Sequence, residues 1–310
     1  MIRIDIFRVC IYGKILSQGT GLLRCFLQTI ADKDPPMTDL SSICEKELGH
    51  FENICDESMV DLKGVLPSEM LFLCSLTRNF KAQALIESGR ARGVSTALIS
   101  AFFQNDPIRL YSVENTRFSE DSLIAEKRLA QYQNLTLIYG DAFIRLPLLA
   151  KKHDSSVIFI DGPKGEKAIL LAATLLRSNA SIQAVFIHDT YKGSVERSLL
   201  DRHFPNHLSS DDQTFVEKFR YLDDSSWDKL AQLGDHSVAP YKQNGLPVSS
   251  YGHTVSMIPN SAGIAAQELA AYQALGKAVG CYEYSSMTHI FREIKTYLPR
   301  KSFFKMLLKR

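Results

Sequence analysis

Short apolar runs alternate with amphipathic segments along the middle of the chain. Five apolar runs predict strands at residues 84–86, 108–113, 135–139, 157–160 and 184–187. The amphipathic segments predict helices at residues 95–103, 119–132, 142–151, 166–177 and 194–203. Continuous apolar strands that alternate with helices are typical of a parallel sheet covered on both faces. We therefore predict an α/β fold with a doubly wound, mostly parallel sheet.

The pattern changes at both ends of the chain. Residues 1–63 contain apolar groups, a Pro35-Pro36 break and a short predicted helix at residues 39–51, and we interpret them as an N-terminal appendage. Residues 64–260 then form the α/β domain. Residues 261–310 end in a helical, basic and amphipathic tail, which either docks on its own domain or contacts an anionic membrane surface or a partner.

Composition and charge exclude several classes of protein. The 310 residues are 45% hydrophobic and 23% charged, which is ordinary for a globular protein. The net charge of +2 is spread along the chain and gives no specific nucleic-acid signal. Six cysteines form no C-x-x-C pair, which favours reduced thiols. With no signal-peptide pattern and no membrane-length apolar run, we expect a cytoplasmic protein of unknown oligomeric state.

A glycine turn follows the first predicted strand, within residues 84–96. A dinucleotide fingerprint would need glycines at the positions of Ala91 and Val94. The pattern that remains, E-x-G-x-A-x-G, resembles the first motif of the class I S-adenosylmethionine-dependent methyltransferases. The resemblance implies S-adenosylmethionine as the cofactor. It also implies a cofactor site that includes Glu87, Gly89, Gly93 and Ser95.

Acidic residues also follow the second and third predicted strands. Glu114 lies roughly 20 residues beyond the glycine turn, where a carboxylate accepts the ribose hydroxyls in nucleotide-binding sheets. The resemblance implies that Asp141, Ala142 and Phe143 contact the adenine. The other interpretation is that these acids only cap the next helices. One of the turn arginines, Arg90 or Arg92, would pair with the methionine carboxylate, unless both are simply solvated.

The fourth and fifth predicted strands end in Asp161-Gly162-Pro163-Lys164 and His188-Asp189-Thr190. These endings resemble those of the catechol-type O-methyltransferases. The resemblance implies Lys164 as the general base and Asp161, Asp189 and Thr190 as ligands of Mg²⁺ or another divalent cation. Thr190 stands where the family has an amide, and its hydroxyl is a poorer ligand. Without a metal, Asp161 would orient the acceptor, and His188 or Lys164 would act as the base.

The resemblance further implies that residues 215–222 and 254–258 form the antiparallel pair that closes the sheet. The function it implies is methyl transfer from S-adenosylmethionine, which we expect to reach a hydroxyl of a small-molecule substrate. Two alternatives stay open. One is an NAD(P)-dependent oxidoreductase, which the glycine spacing disfavours. The other is a binding protein that keeps the fold without the chemistry.

Overall fold

The computed structural model describes residues 40–55, 61, 64–232 and 254–260. The strands are β1 (Ala84–Ser88), β2 (Arg109–Glu114), β3 (Leu135–Tyr139), β4 (Ser156–Ile160), β5 (Ile182–Ile187), β6 (Leu208–Ser209) and β7 (Ser256–Pro259). The α-helices are α1 (Leu40–Ile54), α2 (Pro67–Asn79), α3 (Val94–Phe102), α4 (Glu120–Leu129), α5 (Ala142–Ala150), α6 (Glu166–Ser178), α7 (Val195–His203), α8 (Gln213–Phe219) and α9 (Asp224–Gln232). A 3₁₀ helix, Arg220–Asp223, joins α8 to α9.

The seven strands form one sheet in the order β3-β2-β1-β4-β5-β7-β6. Strands β1 to β5 are parallel, and β7 runs antiparallel to both β5 and β6. Every residue of β1 and β4 is buried, as expected for central strands with both faces covered by helices. The doubly wound α/β fold and the five parallel strands predicted from the sequence are confirmed.

One predicted strand is wrong. Residues 215–222 form α8 and the 3₁₀ helix, and the strand that pairs with β7 is β6. Asp212 caps α8 by accepting from the amide nitrogens of Thr214 and Phe215 at 3.0 and 3.4 Å. Phe215 and Phe219, one helical turn apart, are both buried, with ring centroids 4.8 Å apart. The apolar spacing of this segment therefore marks a helical face.

The first described helix packs against the α/β layers. The helix predicted at residues 39–51 is α1, which buries Cys44 and Phe51. The Phe51 ring lies 6.3 Å from that of Phe102 at the end of α3. The proposed domain boundary at residue 63 stays a prediction.

Residues 1–39 and the tail at 261–310 lie outside the described residues. Among those described, no helix is both long enough and apolar enough to cross a bilayer.

Candidate functional site

A cleft of about 430 Å³ opens at the carboxyl edge of the parallel sheet. Neighbouring parallel strands end at the same edge, so the residues that follow β1, β2, β3 and β4 meet there. The cleft is lined by Ser88, Gly89, Val113, Glu114, Asn115, Gly140, Asp141, Ala142, Phe143, Gly162, Pro163 and Lys167. Five of the eight cofactor residues predicted from the sequence are in this set.

The glycine turn brings the ends of β1 and β4 into close contact. Gly89 has a φ of +87°, and its amide donates to the carbonyl of Val113 at 2.9 Å. A Cβ atom at residue 89 would lie 2.5 Å from the amide nitrogen of Gly162. The turn therefore requires glycine on two grounds, its left-handed backbone and the neighbouring chain.

Glu114 lies at the end of β2, half-buried at the cleft. One carboxylate oxygen accepts from the amide of Ala91 at 3.1 Å, and the other accepts from the amide of Asn115 at 2.7 Å. These two bonds fix the carboxylate beside the glycine turn. Each oxygen of a carboxylate has a second lone pair, so both can still accept from a ligand hydroxyl.

Asp141 both caps a helix and lines the cleft. Its side chain accepts from the amide of Phe143 at 2.9 Å, which makes it the N-cap of α5. Ala142 and Phe143, in the first turn of that helix, form part of the cleft wall. The two interpretations of Asp141 from the sequence, as a helix cap and as a residue of the cofactor site, are therefore compatible.

Glu87, Gly93 and Ser95 lie beneath the turn, outside the lining of the cleft, and their part in the cofactor site stays a prediction. The Glu87 carboxylate is buried and accepts from the hydroxyls of Ser95, Thr96 and Ser112. Burial raises the pKa of Glu87, and the hydroxyl hydrogen bonds partly oppose that increase. Gly93 packs against α4, so all three residues support the turn from below.

The two arginines of the turn also lie outside the cleft lining. Arg90 is 1% exposed, and its guanidinium stacks 4.7 Å from the ring centroid of Tyr139. Arg92 pairs with Asp121 at 2.9 Å on the side of α4. Neither arginine is simply solvated, and the pairing of one of them with a methionine carboxylate stays a prediction.

A second group of charged residues lies at the ends of β4 and β5. The Lys164 ammonium is 2.5 Å from Asp161 Oδ1 and 2.6 Å from Asp189 Oδ2. His188 Nδ1 is 2.8 Å from Asp161 Oδ1 and 3.1 Å from Asp189 Oδ1. We call these four residues the lysine–histidine cluster. The structure therefore brings together all three residues predicted to act in catalysis.

The charges of the cluster hold one another in place. Burial would raise the pKa of Asp161, but the neighbouring His188 and Lys164 lower it below its usual range. Burial would likewise lower the pKa of Lys164, but Asp161 and Asp189 raise it above its ordinary value. The same two acids help to raise the pKa of His188, against the effect of its burial. The lysine and the histidine are thus both stabilised as cations.

Sequence reasoning missed Glu69, which supports the cluster from α2. Its side chain is fully buried, and Oε1 lies 3.3 Å from His188 Nε2. It also accepts from the amide of Leu66 at 2.8 Å, as the glutamate of a capping box does. The sequence signal was Leu66-Pro67-Ser68-Glu69, a helix start, which says nothing about a histidine 119 residues away.

Two of the three predicted cation ligands, Asp161 and Asp189, lie together with His188 at a place where a divalent cation could bind. Asp161, His188 and Asp189 each offer one ligand atom within 4.8 Å of the others. The Thr190 hydroxyl is buried, donates to the carbonyl of Thr254 at 3.1 Å and lies 2.7 Å from the Ser256 hydroxyl, and its role as a ligand stays a prediction. The Lys164 ammonium lies between the two acids, where a cation would have to enter. A metal could bind only after that lysine moved and His188 lost its proton.

No protein-family model matches this chain, and no curated protein matches it. Solved structures resemble it at low identity. The O-methyltransferase TomG from Streptomyces achromogenes, in complex with SAM, is 15% identical over 71% of this chain and 88% of its own, with a TM-score of 0.37. An O-methyltransferase from Bacillus cereus, in complex with SAH, is 15% identical over 75% and 96%, with a TM-score of 0.38. An SAH-bound methyltransferase from Podospora anserina is 12% identical over 77% and 95%, with a TM-score of 0.37.

The class of fold rests on the sheet itself. Its strand order and its antiparallel β7 are those of the Rossmann-like fold of the class I methyltransferases, which confirms the fold that the sequence predicted. A fold supports many chemistries. The activity of this chain has to be argued from its own site residues.

Proposed function

We propose that this protein binds S-adenosylmethionine in the cleft and transfers its methyl group to a hydroxyl of a small molecule. The observation that carries the proposal is the position of Glu114. Its carboxylate is fixed at the end of β2, at the cleft, with Asp141, Ala142 and Phe143 lining the neighbouring strand end.

This lining suits a nucleoside that carries a positive charge. The Glu114 oxygens can accept both hydroxyls of a ribose, and Phe143 offers an aromatic ring to a nucleobase. S-adenosylmethionine carries a sulfonium and no phosphate, and carboxylates attract a sulfonium. The two acids of the cleft wall, Glu114 and Asp141, therefore favour this cofactor over an anionic one.

A dinucleotide is disfavoured by the start of α3. A pyrophosphate normally binds the free amides of a helix N-terminus. Here the hydroxyls of Ser95 and Thr96 in the first turn of α3 are bonded to the buried Glu87 carboxylate. No residue of that turn lines the cleft. A pyrophosphate would find a carboxylate beneath the turn and no amide from the start of α3 in the cleft wall.

The lysine–histidine cluster adjoins the cleft through Gly162 and Pro163, which line it and lie between Asp161 and Lys164 in the chain. We propose that the acceptor hydroxyl binds here. As the oxygen attacks the methyl carbon, the carbon–sulfur bond breaks and its electron pair stays on sulfur. The hydroxyl proton leaves to solvent or to a base of the site. Alignment of the two reactants supplies most of the acceleration of such a displacement.

Lys164 is the residue that we propose meets the acceptor. Its side chain is 49% exposed, whereas Asp161 is 16% exposed and His188 only 5%. Because the two acids stabilise its ammonium, it donates a hydrogen bond to the acceptor oxygen and favours the developing oxyanion. In this role Lys164 acts as a hydrogen-bond donor and not as the general base that the sequence resemblance implied, and no step passes through a metal.

Calorimetry with S-adenosylmethionine, S-adenosylhomocysteine and NAD tests the cofactor. We expect the first two to bind and NAD not to bind. Transfer of a labelled methyl group to a panel of phenols and catechols, with and without chelator, then tests the reaction. NAD binding in place of S-adenosylmethionine would support the oxidoreductase alternative. Cofactor binding without any transfer would support the binding protein.

A further inference from the structure

Lys167 is a cation in the cleft wall that neither the sequence motifs nor the proposed mechanism uses. It lies in the first turn of α6 and lines the cleft beside Gly162 and Pro163. Its side chain has no ion pair or hydrogen bond with any residue that the structure describes. An unpaired ammonium in the wall of a cleft is available to a ligand.

Three other cations that follow β1 and β4 already have partners in the chain. Arg90 donates to the carbonyl of Ser112 at 2.6 Å, and Arg92 pairs with Asp121. The Lys164 ammonium is held by Asp161 and Asp189. Of the residues that line the cleft, Lys167 is the one with a positive side chain.

The negative and positive side chains of the cleft wall lie at opposite ends of the cleft. Glu114 and Asp141 follow β2 and β3, while Lys167 follows β4, on the other side of β1. Adjacent strands are about 4.8 Å apart, so β3 and β4 lie roughly 14 Å from each other across the sheet. An elongated ligand can therefore place its nucleoside near the acids and an anionic end near the lysine.

We propose that Lys167 binds the carboxylate of the amino-acid end of the cofactor. The inference rests on the proposed function and deepens it. S-adenosylmethionine has one negatively charged group, the α-carboxylate of its methionine part, at the end opposite the adenine. Binding of that carboxylate by Lys167 places the adenosine at β2 and β3 and directs the methionine part across β1 toward β4.

Two ligands that differ only in the amino-acid part test the proposal. S-adenosylhomocysteine has the carboxylate, whereas 5′-methylthioadenosine has the same nucleoside and sulfur without it. In Lys167→Met we expect the affinity for S-adenosylhomocysteine to fall about 10-fold, the size of one charge-assisted contact in an open site. The affinity for 5′-methylthioadenosine should not change. Lys167→Arg should bind both ligands nearly as the parent does. Lys151 is an exposed lysine at the end of α5, and Lys151→Met serves as the control for the loss of one positive charge.

The outcomes separate the inference from the proposed function. Unchanged affinity for S-adenosylhomocysteine in Lys167→Met, or equal losses for both ligands, would overturn the role of Lys167. If neither ligand binds the parent protein, the proposed function itself fails. A pairing of charges also predicts that added salt reduces the difference between parent and variant.

Discussion

Two acid-bearing regions of the same sheet edge differ in how their charges are satisfied. Glu114, at the cleft, accepts from two backbone amides and has no ion pair among the described residues. In the lysine–histidine cluster, Asp161 and Asp189 are each paired with both Lys164 and His188. The carboxylate in the cleft keeps its charge for a ligand, whereas those of the cluster are neutralised by the chain itself.

This difference suggests a division of work. A carboxylate bonded to neutral amides can attract a cationic, hydroxyl-bearing cofactor. Carboxylates that already hold two cations present an ammonium to the acceptor, so they orient and stabilise rather than bind a further cation. The following predictions test this division, beginning with the largest expected effect.

The glycine turn is the point where both regions meet, so its disruption should cost most. Gly89→Val places side-chain atoms against the backbone of Asp161 and Gly162, where even a Cβ would be 2.7 and 2.5 Å from backbone atoms. We expect complete loss of S-adenosylhomocysteine binding by calorimetry, with a lower melting temperature. Gly193→Ala is the control, because Gly193 also has a positive φ, of +99°, but open space around it. If Gly89→Val binds normally, the turn does not shape the cofactor site.

Substitution of Lys164 tests the cluster. Lys164→Met should lower turnover by roughly 10²–10⁴-fold, the range for loss of a group that stabilises the transition state. Lys164→Arg keeps the charge but cannot act as a base near neutral pH, and we expect it to retain most of the activity. Both variants should bind S-adenosylhomocysteine as the parent does.

The pH profile distinguishes the two roles of this lysine. Because Asp161 and Asp189 raise the pKa of Lys164, the side chain keeps its proton throughout the neutral range. An ammonium role therefore predicts no lysine-dependent rise of turnover with pH. A general base would instead give turnover that climbs into the alkaline range, together with an inactive Lys164→Arg. Those two results together would support Lys164 as the general base, the role that the sequence resemblance implied.

Removal of the Glu114 carboxylate tests the cleft. Glu114→Ala should weaken S-adenosylhomocysteine by roughly 2–4 kcal/mol, the value of two charge-assisted hydrogen bonds to the ribose. Glu120→Ala, which removes an exposed carboxylate at the start of α4, should leave affinity unchanged. An unaltered dissociation constant in Glu114→Ala would exclude the end of β2 as the ribose site.

Asp223, a buried acid near Glu69, gives a prediction on how the stability of the protein depends on pH. Asp223 is fully buried, accepts from the amide and the hydroxyl of Ser68 at 2.8 and 2.6 Å, and lies close to Glu69. Burial raises the pKa of Asp223 to about 8. Its folded pKa exceeds the unfolded value of 3.8, so the native state binds more protons and stability falls as pH rises from about 4 to about 8.

Asp223→Asn should remove this part of the pH dependence. Between pH 5 and pH 8 we expect the parent to lose roughly 3–4 kcal/mol more unfolding free energy than the variant. Denaturant unfolding at several pH values measures the difference. Asp224→Asn, at an exposed neighbouring position, should follow the parent. Parallel curves for Asp223→Asn and the parent would show that the buried acid does not titrate in this range.

The sequence predicted residues at strand ends better than residues that helix packing brings to the site. Glu114 and Asp141 each follow an apolar strand directly or after a glycine, so the end of the strand fixes where they lie. Glu69 could not be found in this way, because only the packing of α2 on the sheet brings it to His188.

Thr190 shows a second limit of sequence reasoning. Asp189 has a φ of +60°, in the left-handed region, and the hydroxyl of the next residue, Thr190, donates to the carbonyl of Thr254. The spacing of residues in a motif does not show this backbone conformation or this hydrogen bond. The wrongly predicted strand at residues 215–222 has a similar cause, because a short apolar run suits either a strand or a helix.

The smallest predicted effect concerns Ala91, which departs from the glycine pattern of the turn. Ala91 has a φ of +44°, a left-handed conformation that glycine adopts with less strain. Its amide donates to Glu114, so the strained residue also orients the cleft carboxylate. Ala91→Gly should change the unfolding free energy by no more than about 1 kcal/mol, because relief of strain is offset by the larger entropy of the unfolded chain. Affinity for S-adenosylhomocysteine should be equal or slightly higher. A large loss of affinity would mean that the alanine side chain itself contacts the ligand, which would extend the cofactor site from the cleft to the outer face of the turn.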